Sequence, residues 1–211
     1  MGVVSWARGQ FRSKREVEGL APTIARGDRL PVVDVVTKGG RPAELSALLG
    51  KKGLSLLVGM PGAFTPTCST CHMPSLIESA PKLSKLGVNQ IAVLTSNDHH
   101  VNEAWRAAIE KGMGKRVGLT MLSDADGAAV KALGLAEDMG FGMSVRSMRF
   151  ALLADQGVVK YVASDQGMKD LNRASVDAVM ATLMVKTLKF AEAEAEVVLR
   201  DGGGFEWGGT F

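Results

Sequence analysis

Two kinds of hydrophobic pattern alternate along the chain. Short apolar runs with almost no polar residues are separated by longer segments whose apolar residues fall at helical spacing. Leu54 to Val58 and Ile91 to Leu94 are such runs, as expected of strands buried on both faces. Pro31 to Val36 and Leu119 to Leu122 read as two further strands. Phe150 to Ala154 and Val158 to Val162 flank Asp155-Gln156-Gly157 and read as a hairpin. Between them, Asp98 to Lys111 predicts a helix with Asp98 as N-cap and Val101, Trp105 and Ile109 on its apolar face. Pro42 to Leu49 and Asp126 to Leu133 predict short helices. A longer one is predicted from Thr67 to Leu86, kinked by Pro74, which cannot donate to the Thr70 carbonyl. Leu171 to Leu199 reads as one long helix with an Ala/Glu-rich end. Alternating strands and helices with one antiparallel pair predict an α/β fold, a mixed central sheet flanked by helices.

The termini depart from this pattern. Residues 1–23 form a basic extension with Arg8, Arg12, Lys14 and Arg15, read as a tail or a transit remnant. Residues 184–211 form a helical extension and a Gly-rich tail that carries Phe205, Trp207 and Phe211. The intervening residues 24–183 make one domain. The 25 basic and 22 acidic side chains leave a net charge of +3, too weak a bias to indicate nucleic acid. Aromatics are 5%, too few for base-stacking platforms. No run is long and apolar enough to predict a membrane span.

The candidate chemistry lies at Cys68 and Cys71, the two cysteines of the chain. One C-x-x-C is no disulfide framework, so a reducing compartment is expected, the cytoplasm or an organelle. Cys68 follows a strand and the loop Met60 to Pro66, and falls in the first turn of the predicted helix. Unpaired N–H groups and the positive end of the helix dipole favour thiolate there, which is the nucleophilic form. Phe64 and the neighbouring prolines can exclude water and bulky substrates. Thr65 lies where its hydroxyl can reach the sulfur or a bound oxyanion.

Pro61-Gly62-Ala63-Phe64-Thr65-Pro66-Thr67-Cys68 closely resembles the P-x-x-x-T-x-x-C loop of peroxiredoxins, in the form of the type II, or type-5, subfamily. Asn97-Asp98 with Val101 and Trp105 is similar to the family's S-x-N-D-x-x-V helix start, and Arg149-Phe150 to the segment carrying its arginine. The resemblance implies a thioredoxin-like fold, a homodimer and a thiol-dependent peroxidase acting on hydrogen peroxide and alkyl hydroperoxides. Cofactors are none. It further implies Cys68 as the peroxidatic nucleophile, Thr65 as its hydrogen-bonding partner, Pro61 as a shield and Arg149 as the cation that holds thiolate and peroxide. Many relatives resolve the sulfenic acid with a distant cysteine, but residues 163–211 contain none. Two routes stay open: direct reduction by an external thiol such as glutathione or glutaredoxin, or Cys71 as resolving residue through a C-x-x-C disulfide that a thioredoxin-type reductant would serve.

Rival readings are weaker. Cys68 to His72 spells the C-x-x-C-H of haem attachment, but the longer loop motif overlaps it and extends further. Zinc lacks a second ligand pair, since His99 and His100 read as neighbours of the Asp98 cap. Arg146 reads as a surface or dimer contact, Trp105 as core, and Gly140-Phe141-Gly142 as a turn. A structural or interaction subunit without peroxidase activity is the alternative function, resting on the two extensions.

Overall fold

The computed structural model describes residues 23–185, apart from 52, 141, 167 and 168. The predicted extension at residues 1–23, all but Thr23, lies outside the described residues, as do the Ala/Glu-rich stretch and the Gly-rich tail. The elements run β1 (Asp34–Thr37), β2 (Arg41–Glu44), α1 (Leu45–Leu49), β3 (Leu54–Gly59), a π-helical turn (Cys68–His72), α2 (Met73–Lys85), β4 (Val88–Thr95) and α3 (His99–Met113). They continue with β5 (Leu119–Ser123), α4 (Ala128–Ala132), β6 (Ala136–Asp138), β7 (Val145–Ser147), β8 (Arg149–Asp155) and β9 (Val158–Asp165). A further helix, α5, is described over residues 176–185.

Seven strands form a sheet in the order β2-β1-β5-β4-β3-β8-β9. Strands β3, β4 and β5 are parallel. Strand β8 runs antiparallel to β3, and β9 returns beside it as the predicted hairpin. The sheet is mixed, and helices cover both faces. Leu56 and Val58 of β3 pack with Met73, Leu76 and Ile77 of α2, Trp105 of α3 and Val179 of α5. Leu57 points the other way, to Leu45 and Leu49 of α1 and Val130 of α4, with Phe150 and Leu152 of β8. The period of two along a pleated strand produces this division. Each buried leucine contributes about 2 kcal/mol of transfer free energy to its side.

Three elements differ from the sequence expectation. Arg41–Glu44 is a strand, and only Leu45–Leu49 is helical. Pro42 is tolerated in β2 because that strand is the sheet edge, where a missing N–H costs no ladder bond on its open side. The irregularity expected at Pro74 sits one turn earlier, where the Met73 N–H donates to the Cys68 carbonyl across a π turn. Strands β6 and β7 pair as a small separate ribbon that the apolar pattern did not reveal.

The register sets one end of the sheet apart. Gly59, the last residue of β3, pairs with Leu94 near the end of β4 and with Phe150 near the start of β8. A Cβ at Gly59 would lie 2.0 Å from the Phe150 ring and 2.7 Å from Ser147 Oγ, so this position admits no side chain. The chain leaves β3 here and enters the loop that leads to Cys68.

Candidate active site

The loop after β3 is a tight turn held by its own side chains. Phe64 adopts a φ of 59°, a left-handed conformation unusual for a non-glycine residue. The Thr65 hydroxyl donates to the Gly62 carbonyl at 2.9 Å, and the Ala63 N–H donates to Asn97 Oδ1 at 2.8 Å. The Ser69 N–H donates to the Thr65 carbonyl at 3.0 Å as the helix begins. Pro61 is buried at the base of the turn. Phe64 faces outward with 58% of its surface exposed, so it does not roof the site as expected. The expected bond from Thr65 to the sulfur is replaced by the bond to Gly62. With its proton committed there, the hydroxyl oxygen keeps its lone pairs for an incoming donor.

Cys68 has no exposed surface. Arg149, the first residue of β8, is also wholly buried and reaches it from the far side of the sheet end. Its Nη1 donates to Cys68 Sγ at 3.4 Å and to His72 Nδ1 at 3.1 Å, and its Nε donates to the Asp170 carbonyl at 2.8 Å. A buried guanidinium is stable only when so engaged. The Asp170 carbonyl is placed by a loop that Asp165 fastens, its carboxylate accepting the N–H groups of Asn172, Arg173 and Ala174. Burial works against that carboxylate, but these N–H groups and the Arg149 charge outweigh it and keep its pKa below the ordinary value.

His72 completes the arrangement. It is fully buried, and arginine does not give up its proton, so His72 Nδ1 must be the acceptor in the shared contact. Burial first, and the Arg149 charge second, lower its pKa to about 3, and the Ala174 carbonyl and Asp165 oppose this without reversing it. The ring is therefore neutral across ordinary pH. The π turn is wider than an α turn, and Cys68 and His72, four residues apart, both lie on its buried side. Cys71 is exposed, its sulfur 3.4 Å from Thr70 Oγ1, and both cysteines are free.

The structure thus brings Pro61, Thr65, Cys68 and Arg149 to one sheet end, and sets Cys71 apart from them. Trp105 is core, as read, but its Nε1 also donates to Ser69 Oγ at 3.0 Å, next to the nucleophile. Arg146 donates to the Met143 carbonyl at 2.8 Å. His99 and His100 contact one another at the start of α3, where Asp98 caps the helix through the Val101 N–H. Sequence reasoning missed His72 as a site residue. Its signal was the four-residue spacing from Cys68, which places both on one helix face.

A family model described as Redoxin matches residues 25–180. The chain is 41% identical to the chloroplastic peroxiredoxin-2E-2 of Oryza sativa subsp. japonica over 69% of this chain and 66% of that one. It is 37% identical to the chloroplastic peroxiredoxin-2E of Arabidopsis thaliana over 82% of this chain and 80% of that one. Among solved structures, reduced Prx3 from Vibrio vulnificus superposes with a TM-score of 0.70 at 32% identity, covering 77% of this chain and 99% of that one. A matched loop, a buried cysteine under a buried arginine, and this kinship point the same way: the chain belongs to the redoxin family, among the peroxiredoxins of type II character, whose work is thiol-dependent peroxide reduction.

Proposed function

We propose that Cys68 reduces hydrogen peroxide and small alkyl hydroperoxides. The single observation that supports this most strongly is the 3.4 Å bond from buried Arg149 to the Cys68 sulfur. A guanidinium without water around it favours negative charge on sulfur and on the peroxide oxygens that approach it. The thiolate attacks the terminal peroxide oxygen, the O–O bond breaks, and the departing hydroxide or alkoxide takes a proton from water. Cys68 becomes a sulfenic acid. The lone pairs of Thr65 Oγ1 are available to the O–H of the peroxide, and buried Pro61 limits the space beside the sulfur. What favours an enzyme over a structural subunit is that all four matched residues gather at one place.

An external thiol completes the cycle on this reading. It attacks the sulfenic acid, releases water and forms a mixed disulfide, which a second thiol reduces. Buried Cys68 and exposed Cys71 lie on different sides of the π turn, so direct resolution by Cys71 would require that turn to unwind. We therefore assign reduction to glutathione or glutaredoxin, with thioredoxin as the reductant if a Cys68–Cys71 disulfide forms. The resemblance also carries a homodimer, and the two free cysteines suit a reducing compartment, cytoplasmic or organellar. The kinship to chloroplastic relatives favours an organelle.

The test is intact mass after one equivalent of hydrogen peroxide, with and without a sulfenic-acid trap. A trapped adduct on Cys68 is expected. Loss of two hydrogens with no adduct would instead make Cys71 the resolving residue. Peroxide consumption no faster than that of Cys68→Ser would overturn the peroxidase reading.

A further inference from the structure

Asn97 lies between β4 and the Asp98 cap of α3, and its side chain crosses to the loop that carries Thr65. Its Oδ1 accepts the Ala63 N–H at 2.8 Å. Its backbone N–H donates to Thr95 Oγ1 at 3.1 Å, and its carbonyl accepts from Asn102 Nδ2 at 3.4 Å. Thr95 and Asn102 are fully buried. Asn102 in turn accepts from Thr95 Oγ1 at 2.7 Å and donates to Ser123 Oγ at 2.9 Å and to the Leu122 carbonyl at 3.3 Å. Asn97 is thus the outer end of a buried polar network that joins β4, β5 and α3. Such a network, once satisfied, is rigid.

The turn on the other side is otherwise closed on itself. The Thr65 hydroxyl and, more weakly, its N–H both go to the Gly62 carbonyl, at 2.9 and 3.5 Å. The Met60 N–H anchors the start of the loop on the Leu94 carbonyl at 2.9 Å, and the Ala63 N–H ties the turn itself to Asn97, between β4 and α3. The loop also lies directly against Asn97: a Cβ on Gly62 would stand 3.4 Å from both Asn97 Oδ1 and Thr65 Cγ2. Asn97 and Thr65 thus hold adjoining residues of one turn, Asn97 through the Ala63 N–H and Thr65 through the Gly62 carbonyl.

We propose that Asn97 is a positioning residue for peroxide reduction, setting where the Thr65 hydroxyl stands relative to Cys68 while touching neither sulfur nor substrate. The proposal rests on the peroxidase reading above. It separates two properties of Cys68. Reaction with peroxide needs Thr65 in place, whereas alkylation of this buried sulfur needs only that the loop admit the reagent.

The experiment uses the full chain carrying Cys71→Ser, so that Cys68 alone is read. Asn97→Leu keeps the volume and removes the acceptor, and Asn97→Asp keeps the acceptor. Rate constants with hydrogen peroxide and with iodoacetamide are measured beside the thermal midpoint. Misplacement of a positioned group by a fraction of an ångström to 1 Å costs on the order of ten- to a hundred-fold. Asn97→Leu is expected to lose about ten-fold or more with peroxide and to change less than about three-fold with iodoacetamide, and Asn97→Asp to recover most of the peroxide rate. If Asn97→Leu does not fold, Asn97→Ala is read by the same criteria. A peroxide rate unchanged in the acceptor-less variant, a parallel fall in both reactions, or an Asn97→Asp protein as slow as Asn97→Leu would each overturn the proposal. A parent protein inert to peroxide would overturn the peroxidase reading and this proposal with it. A reactive parent with an unaffected Asn97→Leu variant overturns this proposal alone.

Discussion

His72 shows how one side chain can be structural and chemical together. Its ring accepts from Arg149, and so helps aim the guanidinium at Cys68, because it stays neutral. That neutrality has a cost in acid. The folded pKa of about 3 lies below the ordinary value of 6.5, so between these pH values the unfolded chain binds a proton that the folded one does not. Stability is then unaffected by this group above about pH 6.5 and declines as pH falls toward 3, by up to about 1.4 kcal/mol per unit. Urea unfolding of His72→Phe across that range is expected to show a shallower acid slope than the parent, whatever the change in stability at neutral pH. The contrast with Thr65 is instructive. Its place in the motif was legible in the sequence, but the partner of its hydroxyl was not, because a three-residue spacing fits both the sulfur and the Gly62 carbonyl.

Among the elements, β3 and the segment after it do most to build the site, and here the sequence was partly legible. The apolar run of β3, the Asp98 cap and the hairpin β8–β9 could be read directly, since each has a strong local signature. The π turn could not. Its cause is shared between Pro74, which lacks an N–H, and the pull of Cys68 and His72 toward an arginine far along the chain. Strand β2 was hidden for a similar reason: Pro42 suits a helix start and an edge strand equally, and only the neighbouring β1 decides. Ribbon β6–β7 has strands of three residues, too short to show a period. Gly59 carries the sharpest expectation at this scale. Gly59→Ala would drive a methyl into the Phe150 ring and should cost about 3 kcal/mol, read as a lower urea midpoint with little change in slope.

For the molecule as a whole, the mixed sheet places the ends of two parallel strands and the start of an antiparallel one at a single edge. A chain cut to residues 23–185 keeps every core and site residue named above, and it is expected to unfold cooperatively and to react with peroxide at a rate near that of the full chain. Loss of cooperative unfolding in the shortened chain would show that the extensions complete a core. The pairing of β8 with β3 brings Arg149 to Cys68 across 81 positions of sequence. Helix α2, which follows the turn that carries Cys68, can form early from local contacts, while the guanidinium arrives only when this long loop closes. During refolding, then, Cys68 begins without its arginine, and the speed with which it meets peroxide is a clock for tertiary closure rather than for helix formation.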